Sequence, residues 1–304
     1  MKAKAIFILL MLTLISSAVP AQQPVKSMLS SLPEGTLVFR DMPYVNDGHE
    51  RQKLDLFIPE TEEKDEKLPL IIWIHGGAWM AGNKDFGAPV DYLKEGYAVA
   101  SINYRLSQHA IFPAQIQDCK AAVRRLRRLA DKLNIDPDRF GAWGPSAGGH
   151  LVAMLGTAGD VNEFEVGENL EYSSKVQAVA DYFGPTDFLQ MDEYRTPDSM
   201  IQSGPNSPES LLIGGDIREN KDKAAKANPI TYVTKDDPPF LIVHGDSDPL
   251  VPHHQSELLE AALKEAGVPV TFYTVKGAGH GGFKDPNVPK LTKEFFDKHL
   301  KATK

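Results

Sequence analysis

Apolar positions divide the chain into short blocks whose spacing changes along its length. Residues 36–44 and 53–58 read as short strands on either side of the turn-forming triplet Asn46-Asp47-Gly48, so an antiparallel hairpin is expected there. A charged loop, residues 60–67, leads into Leu70-Ile71-Ile72-Trp73-Ile74, the uninterrupted apolar run of a strand covered on both faces. Helical and strand patterns then alternate: a helix near 89–95, a strand at 98–103, a long amphipathic helix over 113–133, a strand ending at Trp143 and a helix-compatible stretch at 150–155. Further strands are expected at 176–182, 239–244 and 270–275, with helices at 256–266 and 289–300. This alternation predicts an α/β fold with a mostly parallel, doubly wound sheet. Residues 187–228, rich in Pro, Gly, Ser and charge, interrupt the pattern; ligands in such sheets sit at the carboxyl ends of the strands, so this insertion is the candidate pocket wall.

Composition narrows the class. With 304 residues, 42% hydrophobic and 24% charged, the chain can bury a sizeable core as one catalytic domain over residues 36–304. Ahead of it, Lys2 and Lys4, the apolar run from Ala5 to Ile15 and small residues up to Ala21 have the form of a secretory signal peptide. That run is shorter than a membrane span, so residues 1–21 are expected to be removed, a polar lead-in (22–35) to follow and the mature protein to be exported without stable membrane insertion. The net charge, −8, becomes −10 without Lys2 and Lys4, and an acidic body is a poor partner for nucleic acid.

Two features invite chemistry that their spacing argues against. Cys119 is the sole cysteine, and it continues the apolar series Ile116, Cys119, Val123, Leu126, Ala130, Leu133, as expected of a packed helix face. Arg124, Arg125 and Arg128 fall opposite that series and Arg127 flanks it, which predicts a solvated face near a helix C-terminus.

The strongest chemical signal is Gly144-Pro145-Ser146-Ala147-Gly148-Gly149, a G-x-S-x-G between a strand and a helix. A serine hydroxyl is a weak nucleophile, so the fold must hold Ser146 on a strained turn beside a base, with backbone donors nearby. Gly144 and Gly148 lack side chains because Cβ atoms there would strike neighbouring backbone. The loop His75-Gly76-Gly77-Ala78-Trp79, closing an earlier strand, can aim N–H groups at a developing oxyanion; Gly77, Ala78 and Ala147 are the candidate donors and His75 is expected to be structural. In this arrangement the acid and base follow the serine. Asp246 and Asp248 both lie just past the strand at 239–244, Asp248 further out on the loop and Asp246 suited to capping the turn. His280, in the glycine-rich loop 277–282, is the candidate base, while His253 and His254 read as rim residues. No compact metal-ligand spacing and no phosphate-binding glycine loop is present, so no metal or other cofactor is expected.

These landmarks, with Lys53-Leu54-Asp55-Leu56, Asn103-Tyr104-Arg105-Leu106, Pro229-Ile230-Thr231-Tyr232-Val233 and residues 244–252, resemble the hormone-sensitive-lipase-like branch of α/β-hydrolases, especially the bacterial bifunctional feruloyl and acetylxylan esterases. The resemblance runs from about Arg40 to Leu300 and implies the α/β-hydrolase fold, Asp248 as the acid, and carboxylic esters as substrates, either small molecules or acetyl and feruloyl groups on plant polysaccharide. Two features bear on the pocket: lipase-like relatives often carry a third glycine where this chain has Ala78, and Pro145 precedes the serine. Trp79, Pro145 and Tyr104 are the pocket candidates. The rival readings are an arylformamidase, a peptidase using the same triad, and a non-catalytic binding protein on this fold.

Overall fold

In the computed structural model, which describes residues 25–61, 66–195, 199 and 201–301, a short helix α1 (Val25–Ser30) lies within the expected polar lead-in. The expected leader, residues 1–21, lies outside the described residues. β1 (Leu37–Pro43) and β2 (Lys53–Ile58) form the hairpin, Leu37 opposite Ile58 and Pro43 opposite Lys53. β3 (Leu68–Ile74), β4 (Ala98–Ile102), β5 (Ile135–Pro145), β6 (Ala178–Tyr182), β7 (Phe240–Gly245) and β8 (Val270–Val275) complete one eight-stranded sheet in the order β1-β2-β4-β3-β5-β6-β7-β8. β2 pairs with β4 antiparallel, and from β4 onward every neighbouring pair is parallel.

The helices are α2 (Ala114–Leu129), α3 (Ala147–Thr157), α4 (Pro208–Ile213), α5 (Lys221–Ala227), α6 (His254–Glu265) and α7 (Asn287–Leu300). The helix expected at 89–95 is a tight 3-10 turn, Val90–Glu95, and the long one over 113–133 passes from α2 into a 3-10 turn at Ala130–Leu133, ended by Asn134 in the left-handed conformation. The insertion holds α4, α5 and a 3-10 turn at Phe188–Gln190. None exceeds two turns, too short for a hydrophobic period to show in sequence. Among the described residues, no helix is long and apolar enough to cross a membrane.

Both sheet faces are covered, which is why β3 is apolar throughout. Leu70, Ile72 and Ile74 share one cluster with Ile116, Cys119, Val123 and Leu126 of α2 and Leu151, Val152 and Leu155 of α3. Ile71 joins Phe296 and Leu300 of α7 on the other face, and Trp73 packs with Phe57, Val90, Leu93 and Val99. The arginine prediction needs correction. Arg124 is fully buried, because the chain around residues 165–168 folds over the polar side of α2. Its guanidinium pairs with Glu165 and donates to the carbonyls of Val166 and Glu168, while the neighbouring Lys120 donates to Ala158 O at 2.7 Å and pairs with the same glutamate. Arg125 and Arg127 are half-buried, and only Arg128 of the four is exposed.

The chain order reverses about β3. The strand after it, β4, lies on one side and β5 on the other, so the loops leaving the carboxyl ends of β3 and β5 diverge and open a crevice. The His75 loop and the Ser146 turn are those two loops.

Candidate active site

β5 delivers Ser146 on a turn with φ 56° and ψ −124°, a conformation that L-residues avoid, before α3 begins at Ala147. Three things hold it. The Ser146 N–H donates to Tyr182 O at 2.8 Å, and the Ser146 carbonyl accepts the first turn of α3 from His150 N at 2.9 Å. The turn also closes on itself: a Cβ at Gly148 would lie 2.1 Å from Ile74 O, and one at Gly144 would lie 2.6 Å from the Gly148 carbonyl. The expected steric role of both glycines is therefore present.

β7 and β8 bring the other two side chains. His280 Nε2 lies 3.0 Å from Ser146 Oγ, and His280 Nδ1 lies 2.7 Å from Asp248 Oδ2. Because a carboxylate only accepts, Nδ1 carries the proton and Nε2 faces the serine hydroxyl as an acceptor. Asp248 is 4% exposed, and each of its oxygens has two donors: Oδ1 accepts from Leu250 N (2.8 Å) and Val251 N (3.0 Å), Oδ2 from His280 and from His244 Nε2 (3.1 Å). Burial opposes the charge, but the hydrogen bonds from His244 and His280 prevail and hold the carboxyl well below its usual range. Asp246, the rival acid, is exposed and accepts from Gly277 N at 2.6 Å, tying its loop to the start of the His280 loop. His253 and His254 sit at the start of α6, bonded to Thr274 and Glu257 respectively, and neither reaches Ser146. Phe183 closes one side of His280, ring centroids 4.7 Å apart and nearly edge-on.

His244 was not singled out from sequence. It is fully buried at the end of β7, with Nδ1 2.7 Å from Ser256 Oγ and Nε2 shared between Asp248 and Val251 O (3.0 Å). Both Nε2 partners are acceptors, so His244 is a neutral donor that orients the acid; burial pushes its own pKa down. The signal available was a histidine at a strand's carboxyl end, four residues before the acid.

The loop after β3 faces the serine turn closely enough that a Cβ at Gly76 would lie 2.8 Å from Pro145 O and 3.4 Å from Ser146 Cβ. Gly77, Ala78 and Trp79 all have positive φ, and Gly77 O accepts from Met80 N and Ala81 N, both at 2.9 Å. Among the described residues, the N–H groups of Gly77, Ala78 and Ala147 have no hydrogen-bond partner. Tyr104 corrects the pocket prediction. It is fully buried, stacked on His75 with centroids 4.4 Å apart and donating to His75 O at 3.0 Å, so it supports the loop from beneath. Trp79, 2% exposed, is likewise turned into the protein: its Nε1 donates to His150 Nδ1 at 3.2 Å and its ring meets Phe188 edge-on at 5.5 Å. Both side chains are large and largely apolar, and the core beneath the loop claims them before the crevice can. Pro145 is half-buried beside the serine.

The insertion is anchored to this framework. Phe188 stacks on His150 (5.3 Å), and His150 Nε2 donates to Ala227 O at 2.7 Å, so His150 is a neutral histidine whose pKa burial pushes down to about 4. Among the described residues, no group of three or more His, Cys, Asp or Glu side chains is arranged to hold a metal ion.

Comparison with known proteins gives consistent matches. The BD-FAE family model matches residues 54–263. The chain is similar to Esterase LipQ of Mycobacterium tuberculosis, 30% identical over 249 residues that make up 80% of this chain and 56% of LipQ, so it spans little more than half the length of that relative. Among solved structures it is similar to a truncated carbohydrate esterase from gut microbiota, 40% identical with a TM-score of 0.78, covering 86% of this chain and 95% of that one. It is also similar to the Bifunctional GH43-CE of Bacteroides eggerthii, 37% identical with a TM-score of 0.78, covering 86% of this chain and 35% of the other. The doubly wound fold with its antiparallel edge is thus shared with solved esterases, as the sequence motifs implied.

Proposed function

The chain belongs to the BD-FAE family, and on that premise we propose that it hydrolyses carboxylic esters through an acyl-enzyme on Ser146. The observation that carries this reading is the hydrogen-bonded line from Asp248 through His280 to Ser146, ending on a strained turn beside unpartnered N–H groups. Ser146 Oγ attacks the ester carbonyl while His280 Nε2 takes its proton. The resulting oxyanion is held by the N–H groups of Gly77, Ala78 and Ala147, each worth roughly 3 kcal/mol. The imidazolium, steadied by Asp248, returns the proton to the leaving alkoxide as the carbonyl re-forms. Water then attacks the acyl-serine by the same route and frees the acid.

The substrates in this reading are acetyl or feruloyl esters on plant polysaccharide. The likeness to the solved carbohydrate esterase from gut microbiota supports that choice. Export fits a polymer too large to enter a cell, and the apolar leader pattern supports it. The insertion between Asp187 and Asn228 is proposed as the pocket wall, on the strength of its anchoring to Trp79 and His150.

The test is hydrolysis of p-nitrophenyl acetate, butyrate and octanoate, methyl ferulate and acetylated xylan by the wild type and by Ser146→Ala. Serine-dependent release of ferulate, or of acetate from xylan, is expected. Activity confined to aryl esters would leave a general short-chain carboxylesterase, and near-normal turnover by Ser146→Ala would overturn the mechanism.

A further inference from the structure

Arg51 follows the hairpin turn and runs beneath the loop after β3. Its Nε donates to Tyr104 O at 2.8 Å, and its Nη2 donates to Gly82 O at 2.9 Å and to His75 Nε2 at 3.2 Å. These acceptors are all neutral, and the burial that disfavours its charge outweighs the pull of the nearest acid in sequence, Glu50. A half-buried guanidinium so placed leaves a positive charge under the loop, with no carboxylate bonded to it among the described residues.

His75 then has a single tautomer open to it. It accepts from Arg51 at Nε2, so the proton sits on Nδ1, which donates to Gly76 O at 2.7 Å. The Gly76 carbonyl and the Gly77 N–H belong to one peptide unit. Drawing electron density from that carbonyl makes the N–H a stronger donor, as linked hydrogen bonds polarise one another in a low-dielectric interior. The link is sealed: His75 is 4% exposed, and a Cβ at Gly82 would come within 2.6 Å of His75 Nδ1 and 2.5 Å of Gly76 O. Burial pushes His75 down to about 3, so the imidazole stays neutral and transmits the charge of Arg51 without adding its own.

We propose that Arg51, acting through His75, is a positioning residue that fixes and polarises the Gly76–Gly77 peptide as an oxyanion donor. The inference rests on the ester-hydrolase reading. An oxyanion carries a full charge where the bound ester carries a partial one, so the effect belongs to kcat and not to KM.

Arg51→Met keeps the stem and removes the charge; Arg51→Lys keeps a charge without the planar fork. With p-nitrophenyl acetate, Arg51→Met is expected to lower kcat roughly tenfold with KM within about twofold, less than loss of a whole donor costs. Inhibition by a trifluoromethyl ketone, whose adduct with Ser146 mimics the tetrahedral intermediate, should weaken by the same factor. The nitrogen-15 resonance of His75 Nε2 should move as its hydrogen bond is lost, and Arg51→Lys, which loses the planar fork, should fall between Met and wild type in all three, with kcat down roughly threefold or more. A kcat within about twofold of wild type in folded Arg51→Met or Arg51→Lys overturns the proposal, as does a loss carried by KM or by melting temperature with ketone affinity unchanged. Should Arg51→Met not fold, the Lys variant alone decides. Ser146→Ala separates the two readings: if it stays active the esterase mechanism fails, whereas a dead Ser146→Ala beside a normal Arg51→Met removes only the present inference.

Discussion

Exchanging Asp248 for asparagine tests the site through a proton count. Oδ1 accepts two backbone N–H groups, Leu250 and Val251, and only an oxygen can occupy that position. The asparagine carbonyl is therefore locked there, and its NH₂ falls where Oδ2 faces His280 Nδ1 and His244 Nε2. A donor now meets His280, whose proton must move to Nε2, so the imidazole presents an N–H to Ser146 and cannot take its proton. Such a tautomer exchange costs about 10⁴ in kcat, or about 5 kcal/mol of barrier. KM should hold, because the substrate touches neither amide nor carboxylate. The assay is p-nitrophenyl acetate hydrolysis at pH 7.5, with Asp246→Asn beside it; among the described residues that exposed side chain bonds only Ser247 and Gly277, neither of them in the triad, and a loss of less than about threefold is expected. Retention of more than about a tenth of wild-type kcat by Asp248→Asn, or a crippled Asp246→Asn, would refute the reasoning.

Three other outcomes follow from buried groups. His244→Ala strips a donor from Asp248 and leaves a void between it and Ser256, so urea unfolding should come at least about 2 kcal/mol sooner and kcat should fall; unchanged stability contradicts the network. Asp181 is fully buried, with Oδ1 accepting from Gly184 N at 2.9 Å and Oδ2 without a partner among the described residues, and burial pushes it up to about 7. The folded protein thus keeps a proton that the unfolded chain releases above about pH 4, and stability falls as pH rises from there to about 7, then levels off. Asp181→Asn, neutral throughout, should gain on wild type across that window, up to a ceiling of about 4 kcal/mol, and an equal difference at pH 5 and pH 8 would sink the argument. Cys119 is buried with its thiol pushed up by burial, so Ellman's reagent should label it only after denaturation; prompt labelling of the native protein would contradict the packing.

What could be read from sequence was whatever is local. Ser146 and its glycines declare themselves because the turn's steric demands fall on residues two apart in the chain. The strands of the parallel sheet were legible because coverage on both faces makes them apolar throughout. Residues whose surroundings are set by distant chain were not. Helical spacing placed Arg124 opposite the core face correctly, yet nothing in α2 reveals that residues 165–168 return to cover it. Tyr104 and Trp79 lie near the site in sequence motifs, but the direction of an aromatic ring is decided by packing against His75, His150 and Phe188. His244 needed the pairing of β7 with its neighbours and the position of Ser256 before its second hydrogen bond could be seen.

The two contacts that seat the insertion also set the terms on which this protein can be altered. Phe188 and Ala227 grip the same histidine, His150, from opposite ends of the intervening chain. A graft that keeps those two seats, and the residues Met191, Leu212, Ile213, Ile217 and Ala224 that the same stretch lends to the main core, can exchange the exposed positions between them while leaving Trp79 covered and His150 bonded. Cuts that take the seats away with the insertion would expose an indole and orphan a buried imidazole directly behind the serine. If this insertion is the pocket wall proposed above, divergence in what is recognised is confined to its exposed positions, because its two ends and its core-facing residues are held by the framework.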